Sequence, residues 1–223
     1  MFDGSVGALF LTYAARLVTR GYVHNSLGNL AIRVPHPDHE HGVVYTKHAG
    51  VSLEETTLEH LVITDVPTPR LLFGSRMTSV GHQLNREILR LRPDVNAVIH
   101  VHHDESIVFF AGGHELQVLS LDFPLVMGAP VHVLPSHINV ELDVAPLRDF
   151  VHSTNAIVME SHGVTTFGRT VSEAYHRLNT LAAEVRRNIT ALSLASVTGE
   201  KVAVLEADSV EWGYRHGGSI LYP

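Results

Sequence analysis

No cysteine occurs among the 223 residues. Disulfide staples, thiolate zinc sites, iron-sulfur clusters and cysteine nucleophiles are therefore excluded, and His, Asp and Glu are left as the metal ligands on offer. Basic residues are scarce as well: 16 Lys and Arg face 23 Asp and Glu, for a formal charge of -7. Without a Lys/Arg cluster, neither a nucleic-acid surface nor an anionic-membrane surface is expected. Long apolar runs are missing, and residues 1–20 lack the basic leader, apolar core and cleavage site of a secretory signal, so a soluble cytoplasmic protein is expected. No repeat, low-complexity tract or linker interrupts the chain, which reads as one domain over 1–223; a hydrophobic content of 45% is ample for one core.

What the sequence has in excess is histidine, with 17 copies. Histidine also packs, caps and titrates without binding anything, so placement matters more than number. Val6, Leu9, Phe10, Tyr13, Ala14 and Leu17 recur at helical spacing and Gly21 suits a C-terminal cap. Asn29–Val34 and Val43–Thr46 read as a hairpin with a long polar connection that carries His36, His39 and His41 as solvated turn residues. Ser52 and Glu55 suggest a capping box over a short helix, Leu61–Val66 a strand, and His82–Leu91 a helix that must end before Pro93. Asn96–His102 is a strand, and Asp104 caps a helix ended by Gly112 and Gly113. Leu116–Leu121, Val131–Leu134 and Ala156–Glu160 are further strands. Thr170 and Glu173 open the longest helix, whose stripe is Val171, Ala174, Leu178, Leu181, Val185, Ile189 and Leu192. The alternation of helices and strands implies a layered α/β/α domain. The tail from Ala207 to Pro223 reads as irregular, its Trp212, Tyr214, His216 and Tyr222 suited to packing on the body or closing over a site. Asn188-Ile189-Thr190 has the glycosylation pattern but lies in the long helix and reads as chance.

Chemistry concentrates at Ile99-His100-Val101-His102. Two histidines two apart on a strand leave the same face, with Ala97, Ile99 and Val101 on the other, so two imidazoles can converge on one ion. His162, directly after an apolar strand and before Gly163, is placed to supply a third. Three neutral imidazoles would bind Zn2+ or a similar ion and leave positions open, as catalytic sites do. His103 should face away from that ion.

Several segments resemble the class II aldolase/adducin family. Gly21 with Ser26-Leu27-Gly28-Asn29 is similar to its glycine-asparagine substrate loop, and Tyr45-Thr46-Lys47-His48-Ala49-Gly50 to its second loop. Arg92-Pro93-Asp94-Val95-Asn96-Ala97-Val98-Ile99-His100-Val101-His102 is the most specific match, followed by Glu160-Ser161-His162-Gly163. The resemblance implies a three-layer α/β/α domain around a largely antiparallel sheet. It implies His100, His102 and His162 as ligands of one divalent metal, Zn2+ first and Mn2+ or Co2+ otherwise. It also implies substrate contact by Asn29 and the two loops, with Ser26, Lys47, His48, Gly50 and Ser79 as candidates, and a homotetramer. Adducin-like relatives carry the fold without aldolase activity.

The chain departs from the family at its acidic catalytic position, where alignment to His100 puts Gly81, which cannot transfer a proton. The paired hydroxyl positions read Ser79-Val80, and Ala49 stands where the second loop often offers a hydroxyl to phosphate. The aldolase tyrosine is replaced by the stretch Leu119–Pro124. Asp122, Glu160 and His82 are the substitute proton-transfer candidates; Asp104 and Glu105 could act as caps or second-sphere groups. Carbon-carbon cleavage of a small hydroxy-carbonyl or hydroxy-acid compound, retro-aldol or decarboxylation through a metal-stabilised enediolate or enolate, is the expected reaction. Dehydration or epimerisation on the same site and a non-catalytic, adducin-like binding protein are the alternatives.

Overall fold

A computed structural model describes residues 2–221. Its centre is an eight-stranded sheet in the order β4-β3-β2-β1-β5-β8-β7-β6. In chain order the elements are α1 (Gly4–Thr19), β1 (Asn29–His36), β2 (His39–Lys47), β3 (Leu61–Asp65), β4 (Leu71–Phe73), α2 (His82–Leu91), β5 (Ala97–Val101), α3 (Asp104–Ala111), α4 (Asp122–Met127), β6 (His132–Leu134), α5 (Leu147–Phe150), β7 (Ala156–Met159), β8 (Gly163–Gly168), α6 (Val171–Thr198) and α7 (Ala207–Leu221). All neighbouring strands pair antiparallel except β6 and β7, which are parallel.

The alternation of side chains along β5 divides the interior into two cores. Ala97, Ile99 and Val101 join Phe10, Ala14 and Leu17 of α1, Phe109 and Phe110 of α3, and Leu178, Leu181 and Val185 of α6. Val98 points the other way, among Leu84, Ile88 and Leu89 of α2 and Leu147 and Phe150 of α5. Helices therefore cover both faces, the three-layer α/β/α arrangement with a mostly antiparallel sheet. The long helix α6 starts at the expected cap, Thr170 Oγ1 accepting from the Glu173 amide at 3.1 Å. Its stripe is buried through Val185, whereas Leu192 is exposed.

Five expectations are corrected. The hairpin strands run on to His36 and from His39, so the connection is Pro37-Asp38 alone. His36 and His39 pair across it, and His39 Nδ1 reaches Asp65 Oδ1 of β3 at 3.2 Å, which extends the sheet through residues read as a loop. Gly42 (φ 77°) is required here, because a Cβ would strike the Val34 carbonyl. Second, the Ser52–Glu55 reciprocal bonds form, but over a turn and not a helix. Third, His103 stands at the N-cap of α3, with Asp104 in its first turn. Fourth, Leu116–Leu121 is not a strand. Its Gln117 amide donates to Asn188 Oδ1 at 2.9 Å and its Leu119 and Ser120 amides to Glu184 Oε1, so buried side chains of α6 satisfy backbone that looked sheet-like. Fifth, the tail is helical: α7 lies on α4, where Gly213 and Gly217 meet Pro124 and Leu125 too closely for a Cβ. Tyr222 lies outside the described residues. Among those described, no helix is long and apolar enough to cross a membrane.

Candidate metal centre

β5 is a central strand, flanked by β1 and β8, with His100 opposite Asn29 on one side and Thr165 on the other. Its side chain shares the α2 face with Val98 and is 1% exposed. His100 Nδ1 is hydrogen bonded to Thr165 Oγ1 at 2.9 Å. That bond holds the ring and directs Nε2 into the space between strand ends. β5 stops at Val101, so His102 leaves the sheet beside it, partly buried. The β7–β8 turn contributes the third ring: Ser161 adopts φ 59°, and the His162 amide donates to Met159 O at 3.1 Å. A non-glycine residue in the left-handed region marks a turn held by its surroundings. Gly163 follows because a Cβ there would lie 2.5 Å from the Val101 carbonyl and 3.2 Å from His100 Cε1.

The three rings meet with centroids 5.0 Å apart for His100–His102, 5.3 Å for His100–His162 and 5.0 Å for His102–His162. One nitrogen from each lies within 4.8 Å of the other two. Burial depresses His100 to about 4, with Glu141 opposing and His102 and His162 reinforcing the shift. Burial, followed by the neighbouring His162, also lowers His102. Rings that resist protonation are suited to donate a lone pair to a cation. His100 Nε2, wholly buried, has no hydrogen-bond partner. Such an orphaned atom is costly unless something binds it, and a divalent metal ion fits three convergent nitrogens in a chain without thiolates.

One residue at this centre went unrecognised in the sequence. Glu141, from the segment between β6 and α5, has Oε2 3.1 Å from His162 Nε2 and Oε1 3.7 Å from His100 Nε2. Burial pushes its carboxyl up, but the hydrogen bond from His162 and the fields of the three histidines outweigh this and hold it below the ordinary range. Its backbone is tied down on both sides: the amide donates to Asn139 Oδ1 at 2.9 Å, and Gln83 Nε2 of α2 donates to its carbonyl.

Among the remaining candidates Asn29 stands beside the centre, opposite His100. Asn29 is buried, its Oδ1 accepting from Asn85 Nδ2 at 2.6 Å. Lys47 is buried too, and its Nζ donates to the carbonyls of Ser26 (3.0 Å) and Val51 (2.7 Å). It stitches the two expected substrate loops together, and burial lowers its pKa. His48 Nδ1 is 2.6 Å from Ala49 O, and Gly50 turns with φ 83° on the surface. Ser79 is partly buried, its carbonyl accepting from the His82 amide. Glu160 accepts from the Ser136 amide at 3.3 Å. Asp122 is half exposed and paired with Arg187 of α6 at 3.3 Å. His103 faces away from the trio as expected, on Ser106 Oγ (2.8 Å) and edge-on to Tyr22.

His82 is wholly buried, with Nε2 on Thr64 Oγ1 at 2.8 Å, and burial, helped by Arg86, lowers it to about 3. An unfolded histidine takes up its proton near 6.5, so between those values the unfolded chain binds the extra proton. Each unit by which the pH drops within that window therefore removes up to about 1.4 kcal/mol of stability. His82→Gln removes this titration, and urea unfolding between pH 7 and 4 should give a shallower acid slope than wild type. Equal slopes would show that His82 is not held neutral in the fold.

An L-fuculose 1-phosphate aldolase structure superposes with a TM-score of 0.78, covering 96% of both chains at 17% identity. In sequence, the L-fuculose phosphate aldolase of Methanococcus maripaludis is 24% identical over 179 residues, 77% of this chain and 89% of that protein. Human beta-adducin is 28% identical over 174 residues, 73% of this chain but only 24% of its own length. The model of the class II aldolase and adducin N-terminal domain matches residues 9–187, and the chain belongs to that family.

Proposed function

We propose that the protein is a cytoplasmic, metal-dependent lyase that cleaves a carbon-carbon bond of a small hydroxy-carbonyl or hydroxy-acid compound by retro-aldol or decarboxylation, as a homotetramer. The observation that carries this reading is the convergence of His100, His102 and His162 around the unpartnered, buried Nε2 of His100. A divalent ion held there, Zn2+ by preference, would supply Lewis-acid polarisation of adjacent hydroxyl and carbonyl oxygens. Thr165 keeps the His100 ring oriented for that task. Asn85 fixes the Asn29 amide, whose Nδ2 faces the Gly81 and Glu141 edge of the centre, and Lys47 keeps the 26–29 and 47–51 loops in mutual register beside it. Ala49 and Gly50 present no side-chain donor for a phosphate, which favours a substrate headed by a carboxylate or hydroxyl. Protein prepared without a histidine tag should carry about one divalent ion per chain. It should cleave a member of a hydroxy-acid and hydroxy-carbonyl panel, with activity lost to a chelator and regained with Zn2+, Mn2+ or Co2+. Failure to take up any of these ions would end the lyase reading.

A second reading rests on the beta-adducin match: a non-catalytic binding module. It is opposed by the retained trio, since a scaffold has little need for three convergent ligands. A metallated protein inert toward aldol, decarboxylation, dehydration and epimerisation substrates alike would favour it.

A further inference from the structure

We propose that Glu141 is the fourth protein ligand of the metal centre, and that residue 81 is glycine to leave room for its carboxylate. The inference rests on the reading of the histidine trio as a metal site. Glu141 reaches the trio from the segment between β6 and α5, with Oε1 3.7 Å from the Nε2 of His100 and Oε2 3.1 Å from the Nε2 of His162. Its side chain is 14% exposed, and among the described residues its ion-pair partners are these two histidines, with no Lys or Arg on it. A largely buried carboxylate without a fixed cation is costly, and a divalent ion between it and the imidazoles removes that cost. Three imidazoles alone bring no negative charge to a dication; Glu141 supplies one.

Gly81 provides an independent argument. Its backbone (φ -60°, ψ -12°) is right-handed helical and open to any L-residue, so conformation does not demand glycine there. Space does: a Cβ would collide with Glu141 Oε1, lie 2.8 Å from its Cδ and 3.1 Å from Asn29 Nδ2. The space that a side chain on α2's first turn would take is occupied by a carboxylate delivered from a segment 60 residues further along the chain.

The test uses the full chain stripped of metal, with Zn2+ affinity measured by competition against a chromophoric chelator and the visible spectrum recorded with Co2+. Glu141→Gln should weaken Zn2+ binding by about 10-fold or more and alter the Co2+ absorption. Gly81→Ala, which keeps Glu141 in the chain but evicts its carboxylate from the space beside the trio, should weaken binding comparably. In a Glu141→Ala background the same Gly81→Ala change should add less than about two-fold, since the two changes act on one contact. Thermal melts of the stripped proteins separate ligand loss from unfolding. Wild type that binds Zn2+ while Glu141→Gln binds it equally well, with the same Co2+ spectrum, overturns the assignment of Glu141 and leaves the lyase reading standing. Strictly additive effects of the two changes also overturn it. Wild type that binds neither ion overturns both.

Discussion

His100→Ala is expected to abolish stoichiometric metal binding, lowering affinity by more than the ~10–100-fold that loss of an outer hydrogen-bond partner costs. The ring is the most buried of the trio, lies in a strand paired on both edges, and has its other nitrogen on Thr165. Its loss cannot be made good by a neighbouring side chain swinging in. Thr165→Val is the graded comparison: the ring remains but loses its orienting partner, and affinity should fall by about 10–100-fold. His103→Ala is the control. That residue is equally buried and stands three positions on, but it faces Tyr22 and Ser106. It should lower the melting temperature and leave metal content at about one ion per chain. Metal retained in His100→Ala, or lost equally in His103→Ala, would contradict the geometry of the site.

Gly163→Ala should damage stability and metal binding together. Gly163 begins β8, and its added methyl would sit 2.5 Å from a backbone carbonyl of β5, an atom that no rotamer change can move. Relief requires β8 to shift from β5 at the point where His162 is aimed at His100. Overpacking of this kind costs about 1–3 kcal/mol, roughly 2–12 °C in melting temperature for a chain of this size. Because the displacement lies between two ligands, Zn2+ affinity should drop alongside. A variant that melts like wild type, or that melts lower with unaltered affinity, would show that the β5–β8 approach does not set the distance between the rings.

The histidine trio and the helices α1, α2, α3 and α6 were legible in the sequence because their signals are local. His100-Val101-His102 is a two-residue strand period, Thr170 with Glu173 is a cap, and the α2 span ends where Pro93 forbids continuation. β8 was not recognised because its centre is Thr165-Thr166, polar residues that belong in a buried strand only when their hydroxyls reach His100 Nδ1 and the Ala174 carbonyl. Leu116–Leu121 failed in the opposite sense: its pattern suited a strand, but Glu184 and Asn188 of α6 took the place of a pairing neighbour. Glu141 is the hardest case. The segment around it has no periodicity, and nothing local connects it to histidines 41 and 21 positions away or to a glycine 60 positions before it. Only the gap left at Gly81, read as a space to be filled, could have prompted a search for a carboxylate elsewhere.

The parallel pairing of β6 with β7, and the antiparallel return of β8 onto β5, have a consequence for biosynthesis. His100 and His102 are translated some 60 residues before His162, and no native pairing holds the trio until β8 has reached β5. At ~5–20 residues per second the growing chain spends on the order of 3 to 12 s with a two-histidine fragment of the site made and His162 still to come. On the metal-site reading proposed above, selection of the ion falls to a late step, when β5 and β8 close and the loop bearing Glu141 has already been made.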